Sequence, residues 1–242
     1  MGDDDAEFIE LWNPTTHAVN LRGAKFTAGL SYDFPDNRDA PLAPGGRLVL
    51  CASQYNFQVR YGIEIPVAGV YFDRLGNDGD TLTLATSANV PLITMHYDDN
   101  APWFDAADGG GYSLVLANRT PGANYDSALN WRASTAAGGN PGTDDTTLFP
   151  GGDLLAYALA ANSLPALTRQ LDGSLLFTFL RTPAADAVEY AVETSDTLAA
   201  WLTTEATLVS QARQPNGSVL MTWLIPGTVE PTKFARLRVT LR

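Results

Sequence analysis

Residues 7–26 read Glu-Phe-Ile-Glu-Leu-Trp-Asn-Pro-Thr-Thr-His-Ala-Val-Asn-Leu-Arg-Gly-Ala-Lys-Phe, and this stretch decides the fold class. In an extended chain successive side chains alternate between faces, so Ile9 and Leu11 share one face and Phe8, Glu10 and Trp12 the other. Asn13-Pro14-Thr15-Thr16 ends this strand: Pro14 has no N–H to give to a ladder, and Asn13 can bond its own backbone two residues on. Val19 and Leu21 resume the alternation, and Gly23 supplies a bend before Ala24-Lys25-Phe26. A strand, a turn and a second strand within so short a span predict an all-β chain.

The same grammar continues outward. Tyr32 to Pro35 reads as a short strand closed by proline, Asp36 to Asp39 as a polar loop, and Leu42 to Gly46 as a turn before a strand over Arg47 to Cys51. Ser53 to Tyr61 differs. Ser53 is a helix cap, Phe57 and Tyr61 stand four apart on one face, and Gly62 can end the helix, so one short helix with an aromatic lid is expected. Strands follow at Val70 to Phe72, Thr81 to Thr86 and Leu92 to Tyr97, punctuated by the Asp78-Gly79 hairpin signal and by Asn89 and Pro91. Tyr112 to Leu116 is read as the closing strand of this first domain.

The pattern E-F-I-E-L-x-N-x-T-x-x-x-V-x-L-x-G, with a proline-glycine turn before R-L-V-L, resembles the opening of the lamin tail domain, an immunoglobulin-like β-sandwich. L-G-N-D-G-D-T-L-T-L through G-Y-S-L-V-L, and N-W-R-A-S followed by G-G-N-P-G, resemble the bacterial members of that family. The likeness covers about residues 7–142. Family members begin with an apolar strand before the acidic loop, whereas only the loop, Gly2 to Ala6, stands here, so the resemblance implies a fragment whose first strand is missing.

Residues 143–152 are linker-like by composition, and Asp153 caps a short helix over Leu154 to Ala161, giving a linker-and-helix segment 143–162. Strand signals return at Leu175 to Leu180 after Asp172-Gly173, at Val188, Tyr190 and Val192, and at Ser218 to Leu224 after Asn216-Gly217. The last run places Ala235, Leu237, Val239 and Leu241 on one face and Arg236 and Arg238 on the other. Residues 163–242 are therefore expected to form a small fibronectin-like β-sandwich. Y-A-V-E-T-S-D-T-L-A-A-W and F-A-R-L-R-V resemble C-terminal modules of large extracellular bacterial proteins.

Composition bounds the function. Hydrophobic residues make up 45% of the chain, enough for a core. No apolar run reaches the roughly 20 residues of a membrane helix. Residues 1–150 hold 19 acids and 8 bases, against 8 and 7 in residues 151–242, and this acidic half repels nucleic acid. Arg236, Arg238 and Arg242 form only a small basic stripe. The sole cysteine, Cys51, excludes an internal disulfide and a cysteine zinc site, and Leu48-Val49-Leu50-Cys51 assigns it to packing.

His17 and His96 have no partners at metal-ligand spacing, and neither a G-x-S-x-G frame nor a phosphate loop is present; Gly109-Gly110-Gly111 lacks the context of one. Carboxylates are the abundant resource: Asp98, Asp99, Asp105 and Asp108 in one loop, and Asp73, Asp78 and Asp80 in another. Oxygen ligands of this kind suit calcium, although neither cluster follows the D-x-D-x-D-G loop, and solvated turn residues are the plainer reading. Glu10, beside Phe8 and Trp12, needs hydrogen-bond donors and is expected to bond an adjacent loop. Trp12, Trp103 and Tyr112 are the aromatic candidates for stacking a sugar, with loop packing the commoner role for such rings. The resemblance implies a non-catalytic, cofactor-free tethering or adhesion module of a secreted or cell-surface bacterial protein, binding a protein, glycan or surface partner. The alternative is a carbohydrate- or calcium-binding module.

Overall fold

The structure is a computed structural model describing residues 6–160, 163–227 and 233–242. The fold is all-β, and the chain divides into two compact units. One comprises the described residues up to Asp99 with Pro121–Ser127 and Gly138–Asp144; the other comprises Asn100–Thr120, Ala128–Ala137 and the described residues from Asp145 onward.

The first unit starts from the predicted strand, β1 (Phe8–Trp12), followed by β2 (Val19–Asn20), β3 (Lys25–Ala28), β4 (Pro41–Leu42) and β5 (Arg47–Cys51). Helix α1 (Gln54–Tyr61) leads to β6 (Val67–Val70), β7 (Asp80–Ala85) and β8 (Pro91–Tyr97). β1 pairs antiparallel with β5, placing Ile9 opposite Leu50 and Glu10 opposite Val49. Ile9, Leu11, Leu48 and Leu50 face a core with Leu21, Phe26, Phe34, Tyr71 and Leu84. Phe8, Val49 and Cys51 face the opposite way, under Phe57 of α1. The two-sided reading of β1 therefore holds.

Helix α1 forms as its caps dictate: the Ser53 side chain accepts the Asn56 N–H, and Gly62 takes a positive φ of 93° while its N–H returns to Gln58. Phe57 is fully buried, edge-on to Phe8 and 4.7 Å from the Tyr61 ring. The helix joins β5 to β6, which pair in parallel. The strand expected at Val70 to Phe72 instead occupies Val67–Val70, leaving Tyr71 buried in the core and Phe72 in an isolated bridge to Ser31. β3, β7 and β8 form the second main sheet of this unit.

The second unit contains β9 (Leu114–Leu116), β10 (Trp131–Ala133), α2 (Leu154–Ala158), β11 (Ala166–Arg169), β12 (Leu175–Arg181), β13 (Val188–Ser195), β14 (Thr207–Arg213), β15 (Val219–Ile225) and β16 (Phe234–Leu241). A four-stranded sheet runs β11-β12-β15-β14, and a second sheet pairs β13 with β16. Every other residue of β12 and β15 is buried, and Phe179 stacks on Tyr190 of β13 at 5.4 Å, so the sheets face each other as a sandwich.

The border between units differs from the sequential one expected at residue 142. The strand expected to close the first domain is β9; it pairs with β10, and both belong to the second unit. Residues 143–152 are likewise not a free linker: Asp144 lies 3.6 Å from Arg47 in the first unit, while in the second Asp145 is buried and the Thr147 N–H donates to the Ala184 carbonyl. Helix α2 ends at Ala158, short of the expected Ala161, because Leu159 turns extended and bridges to Arg181; Ala161 itself, like the acidic loop before Ala6, falls outside the described residues.

Candidate functional site

Three groups of polar and aromatic side chains stand out. In the first unit Glu10 projects from β1 toward Arg47 of β5, its diagonal neighbour, and the two form an ion pair. The other Glu10 oxygen accepts the Gly142 N–H at 2.6 Å, which is the loop bond expected from the sequence. Arg47 also lies 5.7 Å from the Trp12 ring centroid, so Trp12 is engaged by a cation within its own sheet.

In the second unit Arg132 is fully buried. Its guanidinium donates to Asp186 at 2.7–3.1 Å, to Asp145 Oδ2 at 3.1 Å, and to the carbonyls of Asp145 and Ala133. Arg181 donates at 2.8 Å to Asp186 Oδ1, which also accepts from Arg132 Nε. Burial works to lower the Arg132 pKa, but the bonds and charges of Asp186 and then Asp145 outweigh it and hold the group above its ordinary value. Sequence reading assigned Arg132 no role: its partners lie up to 54 residues away, each behind an ordinary turn signal.

Beside this network Tyr190 donates to the Ala158 carbonyl, and burial, opposed by Arg181, raises its pKa to about 12. The native phenol keeps its proton after the unfolded chain, near 10, has lost it, so stability is whole below pH 10 and falls as pH rises toward 12. Denaturation midpoints taken at stepped alkaline pH should decline through that window, with the decline reduced in Tyr190→Phe.

The third group lines an open depression of about 390 Å³ formed by Asp105, Ala106, Gly110, Tyr112, Arg213 and the Gln214–Gly217 turn. The Arg213 guanidinium lies 4.3 Å over the Tyr112 ring and donates to the Ser134 and Thr135 carbonyls. One face of Tyr112 is thus covered by a fixed cation, and Asp105 adds a carboxylate to the same wall.

No protein family, curated protein or solved structure matches the chain.

Of the sequence candidates, Tyr112 alone lines this depression together with Asp105. Trp103 is only 7% exposed and packs 6.5 Å from Trp131, so its loop is anchored by the ring, and Trp103 presents no stacking surface. The calcium candidates are not gathered. Asp98 and Asp99 belong to the first unit and Asp105 and Asp108 to the second, and among the described residues no three His, Cys, Asp or Glu side chains come together to hold a metal ion. Asp80 binds the Thr81 N–H, and Asp73 sits in a turn at a positive φ of 69°. His17 contacts Thr16; His96 contacts Thr81 and lies 4.0 Å from Asp98. Cys51 is buried in the α1 cluster, and burial pushes its thiol pKa up, which suits packing rather than reactivity.

Proposed function

We propose that this chain is a non-catalytic interaction or tethering module of a larger secreted or cell-surface bacterial protein, lamin-tail-like in its first part and fibronectin-like in its last. The observation that carries this reading is how the buried charges are used. Arg132, Asp145, Asp186 and Arg181 are hydrogen-bonded to one another, and Glu10 is spent on Arg47 and the Gly142 amide. Groups so engaged hold loops in place, whereas a general acid or base must keep a free position toward a substrate. The paired strands E-F-I-E-L and R-L-V-L, and the Asn13 turn after the first, fit the resemblance.

A second reading, carbohydrate binding, is favoured by the Tyr112 depression, where a ring, a guanidinium and a carboxylate meet in the open. One experiment tests both. The purified chain is incubated with insoluble polysaccharides and with bacterial envelopes, and retention and release of soluble sugar are measured. Retention without release is expected. Loss of retention in Tyr112→Ala, about tenfold or more, identifies the depression as the glycan site. Retention unchanged in that variant points to tethering through another surface, and sugar release overturns the non-catalytic reading.

A further inference from the structure

Among the described residues, β16 pairs with a strand on one side only. Its pairing with β13 places Val188 opposite Leu241 and Ser195 opposite Phe234, and the Arg242 N–H donates to the Ala187 carbonyl just beyond. In an antiparallel ladder, directly opposed residues alternate between pairs that exchange both bonds and pairs that exchange none. Counting back from Arg242, residues 240, 238, 236 and 234 are bonded to β13, and the amides of Leu241, Val239, Leu237 and Ala235 point away from it. The opposite strand bears this out: Thr194, across from Ala235, turns its N–H and C=O outward and exchanges both bonds with Leu202. The amides of Ala235, Leu237 and Val239 have no such partner among the described residues.

The side chains of these residues face the core of the sandwich, beside Val188, Tyr190 and Val192, yet they are incompletely covered. Leu237 and Val239 are partly buried, and Leu241 is 52% exposed. On the facing sheet Leu167 of β11 lies opposite buried Phe177, so it points inward too, and it is 46% exposed. Both strands border the same side of the sandwich. Helix α2 packs on β16, and Leu159, just after it, bridges to Arg181 on the flank of β12 away from β15, where β11 also lies. An apolar slot thus runs beside amides that have no strand partner among the described residues.

We propose that this edge accepts an extended peptide segment of a partner protein, added as a new strand beside β16, with apolar side chains alternating with acidic ones. The alternation follows from register. Residues opposite Leu237 and Val239 point into the slot and must be apolar, while those opposite Arg236 and Arg238 stand beside two guanidiniums. These arginines share a single carboxylate, Glu193, at 2.7 and 2.8 Å, and remain about half exposed, so acidic residues are the complement. A second copy of this chain docking edge to edge in the same way brings the arginine rows together, which disfavours self-pairing. The inference rests on the interaction-module reading and names a surface distinct from the Tyr112 depression.

The test titrates the full chain with a heptapeptide of alternating valine and glutamate, and with its valine–lysine counterpart, while amide exchange is followed. The expected result is saturable binding of the glutamate peptide, weaker by about tenfold or more for the lysine one, with slowed exchange at Leu237 and Val239. Val239→Pro, which removes an N–H facing away from β13, should abolish binding; should that variant fail to fold, slowed exchange at these amides in the unmodified protein still locates the peptide. No saturable binding, or binding that leaves those amides unprotected, overturns the proposal. Concentration-dependent dimerisation that protects them without peptide overturns the choice of partner. Polysaccharide retention with a negative peptide titration rejects this edge and leaves the module reading standing.

Discussion

Arg132→Met should unfold the second unit far more readily, by about 3–5 kcal/mol, because it removes the one cation that two buried carboxylates share and leaves Asp145 without a charged partner. Asp145 and Asp186 are 9% and 5% exposed, and both direct oxygens at the Arg132 guanidinium. Arg181 continues to neutralise Asp186 in the variant and Thr135 continues to donate to Asp145, but no cation replaces Arg132 at Asp145 and the Asp145 and Ala133 carbonyls lose their donors. Arg132→Lys should recover only part of the loss, since an ammonium is a point charge and cannot reproduce a planar fork that serves both acids at once. Amide exchange resolves the effect by unit: protection should fall across β12, β13 and β15 and stay unchanged in β1 and β5. A cycle with Asp186→Asn should be non-additive, the double variant costing less than the sum of the singles, because each single change leaves the other partner uncompensated. Additive losses would show that the two side chains do not act as a pair.

What could be read in the sequence, and what could not, divides by distance along the chain. The alternation of Phe8 to Trp12, the Ser53 cap, the Phe57–Tyr61 spacing and the inward set Val188, Tyr190 and Val192 are local patterns, and each stands in the structure as its period requires. The inward set of β16 was equally legible, but that its outer amides have no partner among the described residues was not, since an edge is defined by what lies beside it in space. The unit border was missed for a similar reason. Leu114 to Leu116 has the look of any short strand, and only its pairing with Trp131 to Ala133 assigns it to the second unit. Trp103 shows the limit in another form: loop packing is the commoner reading of such a ring and it holds, but the ring that it packs against, Trp131, carries no mark in the sequence. Arg132 is the hardest case, because a cation between Trp131 and Ala133 carries no local mark of the two carboxylates that fold back onto it.

Asn13 offers the second large effect, and its logic begins in the sequence. Its Oδ1 accepts from the Thr15 N–H at 3.0 Å and from the Thr15 hydroxyl at 2.8 Å, the bond two residues on that the Asn-Pro-Thr-Thr turn predicts. The structure adds the other end. Nδ2 donates to the carbonyls of His17, Leu42 and Ala43, so one 2%-exposed side chain ties the end of β1 to its own turn and to the loop after β4. Asn13→Ala should destabilise the first unit by about 2–4 kcal/mol, because the Leu42 carbonyl loses a buried donor while the Thr15 N–H loses its acceptor. Asn13→Asp separates the two ends. It keeps the shape and the acceptor toward Thr15 but turns a carboxylate oxygen toward carbonyls in place of an amide. At neutral pH it should therefore cost at least as much as alanine. An acid that is harder to ionise in the folded state binds its proton more tightly there than in the unfolded chain, so stability falls as pH rises past the ordinary aspartate value near 4 and returns as pH drops below it. Exchange at residues 8–20 and 42–46, compared between neutral and acidic buffer, should show protection regained on acidification in Asn13→Asp and not in Asn13→Ala. Equal behaviour of the two variants would mean that the turn is held by its backbone bonds between Asn13, Gly45 and Gly46, with the amide group adding little.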